Sequence, residues 1–148
     1  MHLLDVSVLV ALCDPAHEFH DQASRWFNRI RPDGWATCPL TENGLVRILG
    51  HPAYPGGPGS PAQARPLLQA LVRTPGHLFW PDEISIADPT VFRTLARTTA
   101  AHLTDLYLLA LALHHGANFA TFDRRIDPAV LPGGVTALVQ ISIPEHLL

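Results

Sequence analysis

Residues 3–12 read LLDVSVLVAL, which places the carboxylate of Asp5 in one of the most apolar parts of the chain. A short apolar run of this kind is typical of a buried strand, here one that Asp5 interrupts. A carboxylate that lost its water without gaining partners would cost several kcal/mol. The sequence therefore predicts that other groups compensate the charge of Asp5.

Two more aspartates lie beside strongly apolar segments. Asp105 stands near the start of residues 103–116, LTDLYLLALALHHG, which are apolar nearly all round and predict a largely buried helix. Asp123 directly follows residues 118–122, which predict a central strand. The charges of Asp105 and Asp123 must therefore also be compensated by other groups, as that of Asp5 must be.

The other segments alternate between helical and strand patterns. Residues 51–61, HPAYPGGPGSP, are rich in proline and glycine and predict a surface loop. Strands that alternate with helices imply an α/β domain whose central, mostly parallel sheet carries helices on both faces. At 148 residues the chain has the size of one domain, residues 1–148. Further helices are predicted from Asp14-Pro15 to Ile30, from Thr41 to Leu49, from Ser60-Pro61 to Val72 and from Asp88-Pro89 to about Thr98, and further strands at 35–38, 78–80 and 137–143.

The composition excludes several classes of protein. Hydrophobic residues make up 47% and charged residues 16% of the chain, which is the balance of a folded domain. No apolar run is long enough to span a bilayer and no export signal is visible, so we expect a cytoplasmic protein without membrane attachment. Cys13 and Cys38 are too few for a disulfide scaffold. All ten basic residues are arginine, which excludes a lysine Schiff base and a phosphate loop that ends in lysine.

Four carboxylates are predicted to meet at one edge of the sheet. Ligands of open parallel sheets bind at the carboxyl ends of the strands, where Asp5 and Asp123 fall. Glu42 and Asp105 lie in the first turns of predicted helices, which face the same edge. Unit charges about 4 Å apart repel by roughly 4 kcal/mol at an effective dielectric of about 20, so the cluster requires a divalent cation. Oxygen ligands favour Mg²⁺ or Mn²⁺ over zinc, and such ions promote phosphodiester hydrolysis.

The order and context of these acids resemble the PIN-domain ribonucleases, and most closely the VapC-like toxins of bacterial toxin-antitoxin pairs. The resemblance covers essentially the whole chain, and its matching pieces are LLDVSVLVAL with Asp5, LTENGLVRIL with Glu42, HLTDLYLLALA with Asp105 and FATFDRRI with Asp123. The resemblance implies a PIN-like fold and an endoribonuclease that depends on Mg²⁺ or Mn²⁺. It also implies an RNA substrate, a homodimer and inhibition by a cognate antitoxin protein.

The resemblance also implies roles for individual residues. Asp5, Glu42, Asp105 and Asp123 match the acids that hold the metal and carry catalysis. Ser7 and Thr121 match positions that orient carboxylates or water molecules.

Several residues near the last acid have two interpretations. Arg124 and Arg125 either contact RNA phosphates or serve a plain surface or interface role. His102 is either part of the local helix start or a substrate contact. Asp127, which precedes a proline, is interpreted as a turn residue rather than a fifth metal ligand.

Other functions stay open beside the nuclease. A catalytically silent PIN-like domain would keep the fold for RNA or protein recognition, whereas a phospho-receiver module is disfavoured because the chain has no lysine. Zinc bound by Cys13, His17 and His20 is a weaker alternative, since no complementary ligand pair follows. The large aromatic side chains are interpreted as core or dimer contacts rather than base-stacking platforms, and they are Trp26, Phe27, Trp35, Phe79 and Trp80.

Overall fold

The computed structural model describes residues 1–147 and contains a five-stranded sheet in the order β3-β2-β1-β4-β5. All four neighbouring pairs of strands are parallel. This confirms the predicted α/β class with its parallel sheet. The strands are β1 (His2–Leu4), β2 (Trp35–Thr37), β3 (His77–Phe79), β4 (Asn118–Thr121) and β5 (Leu138–Gln140).

Within residues 1–147, six α-helices connect and cover the strands. The helix that the sequence predicts from Ser60-Pro61 has the expected start, because the Ser60 hydroxyl accepts a hydrogen bond from the backbone N of Gln63 at 3.3 Å. The helices are α1 (Val6–Cys13), α2 (His20–Ile30), α3 (Pro39–Leu49), α4 (Pro61–Leu71), α5 (Leu103–His114) and α6 (Gly134–Ala137).

Each face of the sheet has its own hydrophobic core. Leu3 and Phe119 belong to the core that contains α5, whereas Leu4 and Ala120 belong to the core that contains α1 to α4. Neighbouring residues of a strand point to opposite faces, which accounts for this division. The predicted layers, with helices on both faces of the sheet, are therefore confirmed.

The strand order creates a crevice between β1 and β4. The chain adds β2 and β3 on one side of β1 and then places β4 and β5 on the other. Parallel sheets bind their ligands at the carboxyl ends of the strands where the order reverses in this way. Asp5 directly follows β1 and Asp123 lies just beyond β4, so both residues stand at this crevice.

Residues 3–12 contain the predicted short strand, with Asp5 at its carboxyl end, and the apolar residues that follow form a helix that the sequence did not predict. β1 ends at Leu4, and α1 begins at Val6 with Asp5 as its N-cap, whose Oδ1 accepts a hydrogen bond from the backbone N of Val6 at 2.7 Å. Aspartate suits this position because its side chain pairs a backbone N–H that the helix leaves free. Since α1 is largely buried, its apolar run shows no polar face that would distinguish it from a strand.

Both helix starts predicted at Asp-Pro pairs are wrong. α2 begins only at His20, because Asp14 ends α1 and donates its backbone N–H to the carbonyl of Val10 at 3.0 Å. Residues 81–99 form turns and extended chain, and the carboxylate of Asp88 accepts a hydrogen bond within one of these turns. The Asp-Pro pair is a local signal that turns satisfy as well as helices.

Two further properties concern the chain as a whole. Across residues 1–147, no helix combines the length and the apolar character needed to cross a membrane. Cys38 is buried and Cys13 is half-buried, and this burial raises the pKa of each thiol to about 11. Near neutral pH both side chains are therefore protonated, as expected of small apolar groups rather than reactive thiolates.

Candidate active site

Asp5 is a buried carboxylate that three donors hold in place. Its side chain is 7% exposed, and beyond its cap to Val6 its Oδ2 accepts hydrogen bonds from Ser7 Oγ and Thr121 Oγ1, both at 2.7 Å. Burial raises the pKa of Asp5, the hydroxyls lower it, and the nearby charge of Asp123 raises it further. The compensation that the sequence required thus comes partly from hydrogen bonds.

Thr121 connects the carboxylate at β1 to the loop beyond β4. Its fully buried Oγ1 donates to Asp5 Oδ2 and accepts a hydrogen bond from the backbone N of Asp123 at 3.0 Å. Ser7 makes a similar link, because its Oγ accepts a hydrogen bond from the backbone N of Phe122 at 3.4 Å. Both hydroxyls therefore orient Asp5, which agrees with the roles implied for them by the resemblance.

Asp105 faces the same crevice from the first turn of α5. Its pKa is raised to about 7, first because the carboxyl is half-buried and then because of the charges of Asp5 and Asp123. Arg125 lowers the pKa of Asp105 without cancelling these effects. Three aspartates that are far apart in the sequence thus share one electrostatic environment.

The carboxylate of Asp123 accepts hydrogen bonds from Arg125, which lies in the same loop. Arg125 Nε lies 3.1 Å from Oδ1 and Arg125 Nη2 lies 2.9 Å from Oδ2, while the backbone N of Arg125 donates to Oδ1 at 2.8 Å. These hydrogen bonds hold the pKa of Asp123 below its ordinary value. Such a two-pronged contact occupies both oxygens of the carboxylate, and it puts a cation beside the aspartates.

Glu42 lies at the same edge of the sheet but has different neighbours. Its Oε1 accepts a hydrogen bond from Thr37 Oγ1 at 2.6 Å, and His77 Nε2 lies 2.7 Å from that hydroxyl. Because Thr37 ends β2 and His77 begins β3, this group stands beside β1 rather than at the crevice between β1 and β4. The structure therefore brings the three aspartates together and leaves Glu42 on their flank.

Sequence reasoning missed Thr37, although the sequence carries a signal for it. Residues 36–37 and residues 120–121 are both Ala-Thr, each pair ends a strand, and each threonine donates a hydrogen bond to a carboxylate. The repeated pair at two strand ends would have pointed to Thr37 as the counterpart of Thr121.

The residues with two interpretations are also placed by the structure. Asp127 accepts a hydrogen bond from the backbone N of Ala129 at 3.2 Å and pairs with Arg97, as expected of a turn residue. His102 Nδ1 contacts Thr99 Oγ1 at 2.9 Å in the turn that precedes α5. The exposed Arg124 lies beside the acids.

The aromatic side chains divide into two groups. Trp80 is buried and its ring stacks on His115 with centroids 3.9 Å apart, whereas Phe79 is 54% exposed. Phe79 is therefore not a core residue, and for this ring the interpretation as a dimer contact stays a prediction. The other buried rings of this set are Trp26, Phe27 and Trp35.

The donor set suits a hard divalent cation. Carboxylate and hydroxyl oxygens face the crevice, and the pKa of Asp105 is raised first by burial and then by the charges of Asp5 and Asp123. Within residues 1–147, no three His, Cys, Asp or Glu side chains already form a cage that could hold a metal ion.

Comparison with known proteins shows one family throughout. The family model described as PIN domain matches residues 2–129. Ribonuclease VapC44 of Mycobacterium tuberculosis (strain ATCC 25618 / H37Rv) is 42% identical over 131 residues, which cover 88% of this chain and 92% of that protein. Ribonuclease VapC39 of the same strain is 38% identical over 136 residues, covering 92% and 98% of the two chains. Ribonuclease VapC38 is 40% identical over 123 residues, covering 83% and 85%.

Proposed function

The chain belongs to the PIN-domain family, and we propose that Asp5, Asp105 and Asp123, with Glu42 at their flank, hold the divalent cation with which it acts as a VapC-type endoribonuclease. The reaction is hydrolysis of an RNA phosphodiester bond, and the protein is the toxin of a toxin-antitoxin pair. We propose Mg²⁺ as the cation, with Mn²⁺ as an alternative, because every donor of the set is a hard oxygen ligand.

One observation carries the site assignment. The charge of Asp123 raises the pKa of Asp5, and the charges of both raise the pKa of Asp105, across the crevice where the strand order reverses. Structural carboxylates rarely crowd in this way, because the repulsion and the lost hydration destabilise the fold. A site that gathers negative charge is instead built for a positive ligand.

The residues around the crevice perform separate tasks. Thr121 and Ser7 fix the carboxylate of Asp5, and Thr37 fixes the carboxylate of Glu42. Arg125 is placed beside the acids to contact a phosphate once it leaves Asp123. A divalent cation held by Asp5, Asp105 and Asp123 would polarise the phosphate and lower the pKa of a bound water.

Cleavage of RNA by the purified protein tests the proposal. We expect activity with Mg²⁺ or Mn²⁺, loss of activity in EDTA, and loss of activity in Asp5→Asn and Asp105→Asn. The matched control is Asp21→Asn, since Asp21 is an exposed aspartate in the first turn of α2. Thermal unfolding establishes that each variant is folded, and unchanged cleavage in both site variants would reject the assignment.

The same proposal includes partners and excludes a silent module. We propose a cognate antitoxin as inhibitor and a homodimer as the working form, by analogy with VapC-type proteins. Light scattering after size-exclusion chromatography measures the oligomeric state.

A catalytically silent binding domain would have no reason to keep three crowded aspartates, and titration with Mn²⁺ followed by the cleavage assay separates the two functions.

A further inference from the structure

A groove lies next to Glu42, between α3, α4 and the end of β3. Its volume is about 620 Å³, which is in the range of pockets that bind small organic groups. Pro39, Val46 and Leu68 contribute apolar walls. The groove thus begins at a proposed site acid and extends away from the aspartates along the sheet edge.

Phe79 lines this groove although it is 54% exposed. It is the last residue of the edge strand β3, at the same carboxyl end of the sheet as the acids. The preceding residue, Leu78, is 48% exposed but does not line the groove, because neighbouring residues of a strand point to opposite faces. The face of an aromatic ring is therefore available to a ligand in the groove.

The polar groups of the groove suit a nucleotide. Arg65 is exposed on α4 and offers a planar donor for a phosphate. Asn43 is exposed on α3, and its amide both donates and accepts hydrogen bonds, as the edge of a base requires. Unpaired bases bind proteins by stacking on aromatic rings while arginines hold the backbone.

From this arrangement we propose that the groove binds one unpaired nucleotide of the RNA next to the scissile phosphodiester, with its base on Phe79 and its phosphate on Arg65. The proposal rests on the proposed nuclease function and adds a specificity site to it. Glu42 connects the two, because it lines the groove and belongs to the proposed set of site acids. A nucleotide in the groove is thereby continuous with the strand that crosses the aspartates.

Binding of a fluorescent single-stranded RNA by anisotropy tests the stacking contact, with Asp5→Asn as background so that the RNA stays intact. We expect Phe79→Ala to weaken binding roughly ten-fold, since the base loses the ring on which it stacks. Phe79→Trp should retain the affinity. Leu78→Ala is the matched control, because it removes a comparably exposed apolar side chain from the other face of β3.

Two further measurements locate the nucleotide. With 2-aminopurine placed at successive positions, quenching should occur at one position and disappear in Phe79→Ala. Arg65→Ala should reduce the slope of log affinity against log salt concentration by about 0.7, the share of one phosphate on a single strand. Arg73→Ala is the control for this arm, since Arg73 is exposed after α4 and does not line the groove.

The outcomes separate this proposal from the function on which it rests. If the wild-type protein cleaves RNA and Phe79→Ala binds RNA as tightly as Leu78→Ala, the nucleotide site is refuted and the nuclease stands. If Phe79→Ala alters self-association or antitoxin binding instead of RNA affinity, the groove belongs to a protein partner and the proposal is wrong. A wild-type protein that neither binds nor cleaves RNA overturns both.

Discussion

Replacing Asp105 with asparagine should stabilise the metal-free protein while abolishing cleavage. The carboxyl of Asp105 has a pKa of about 7 in the fold against an ordinary value of 3.8, because of burial and the charges of Asp5 and Asp123. A difference of about 3 units corresponds to about 4 kcal/mol at most, at about 1.4 kcal/mol per unit. Since Asp105 keeps some contact with water, we expect a gain of about 1–3 kcal/mol from Asp105→Asn.

The sign of the effect depends on pH. A carboxyl whose pKa is raised by folding binds its proton more tightly in the folded state, so the fold loses stability as the pH rises from about 4 to about 7. Above pH 7 the whole cost is present, and below pH 4 both states are protonated and the cost is absent. The stabilising effect of Asp105→Asn should therefore be full at pH 8 and vanish near pH 4.

Urea unfolding at pH 4, 6 and 8 in EDTA measures the change in the free energy of unfolding. In thermal unfolding at pH 8, each kcal/mol of added stability corresponds to a rise in Tm of roughly 2–4 °C. Asp21→Asn is the matched control, because it also removes an aspartate from a first helical turn but at an exposed position. Added Mg²⁺ should stabilise the wild-type protein more than Asp105→Asn. The crowding of the aspartates would be disproved by equal stabilities of the wild-type protein and Asp105→Asn at pH 8, or by a gain that is the same at pH 4.

Three other changes test the supporting contacts. Thr121→Val removes the hydroxyl that donates to Asp5, so we expect a loss of about 1–3 kcal/mol in the free energy of unfolding and weaker Mn²⁺ binding, whereas unaltered unfolding would contradict the contact. Arg125→Ala frees the carboxylate that it grips, so calorimetry should show tighter Mn²⁺ binding, while Arg124→Ala serves as control and should show none. Tyr54→Phe removes the hydroxyl that ties residues 51–61 to the end of α1, which should lower stability by about 1 kcal/mol or less and speed amide exchange in that loop; unchanged exchange would argue against the anchor.

The parts of the fold that the sequence predicts are those with local signals. α5 combines an apolar run of helical length with a closing glycine, and β4 is a short apolar run that ends in a polar residue. Residues 3–12 offered no such distinction, because a short apolar run fits a buried strand and a buried helix equally well. The N-cap Asp5 marks the point where β1 ends and α1 begins.

The site was predictable to the extent that topology determines it. The rule that ligands bind at the carboxyl ends of parallel strands was enough to bring Asp5 and Asp123 together. The hydrogen bonds from Arg125 to Asp123 and from Thr37 to Glu42 were not predictable. A position in a loop or in a first helical turn does not determine where the side chain points. The exposure of Phe79 was missed for the same reason, because an edge strand and a central strand look alike in three residues.

The spacing of the sheet explains why the acids fall into two groups. Thr37 and Thr121 end the strands on either side of β1, and neighbouring strands lie about 4.8 Å apart, so the ends of these two strands are separated by about 10 Å. Each hydroxyl orients one carboxylate, Glu42 on the β2 side and Asp5 toward β4. Asp5 follows β1, which lies between those two strands, so Asp5 and Glu42 stand beyond neighbouring strands of the sheet. The proposed cation site therefore has its three aspartates at the crevice, with Glu42 reaching it from the side of β2.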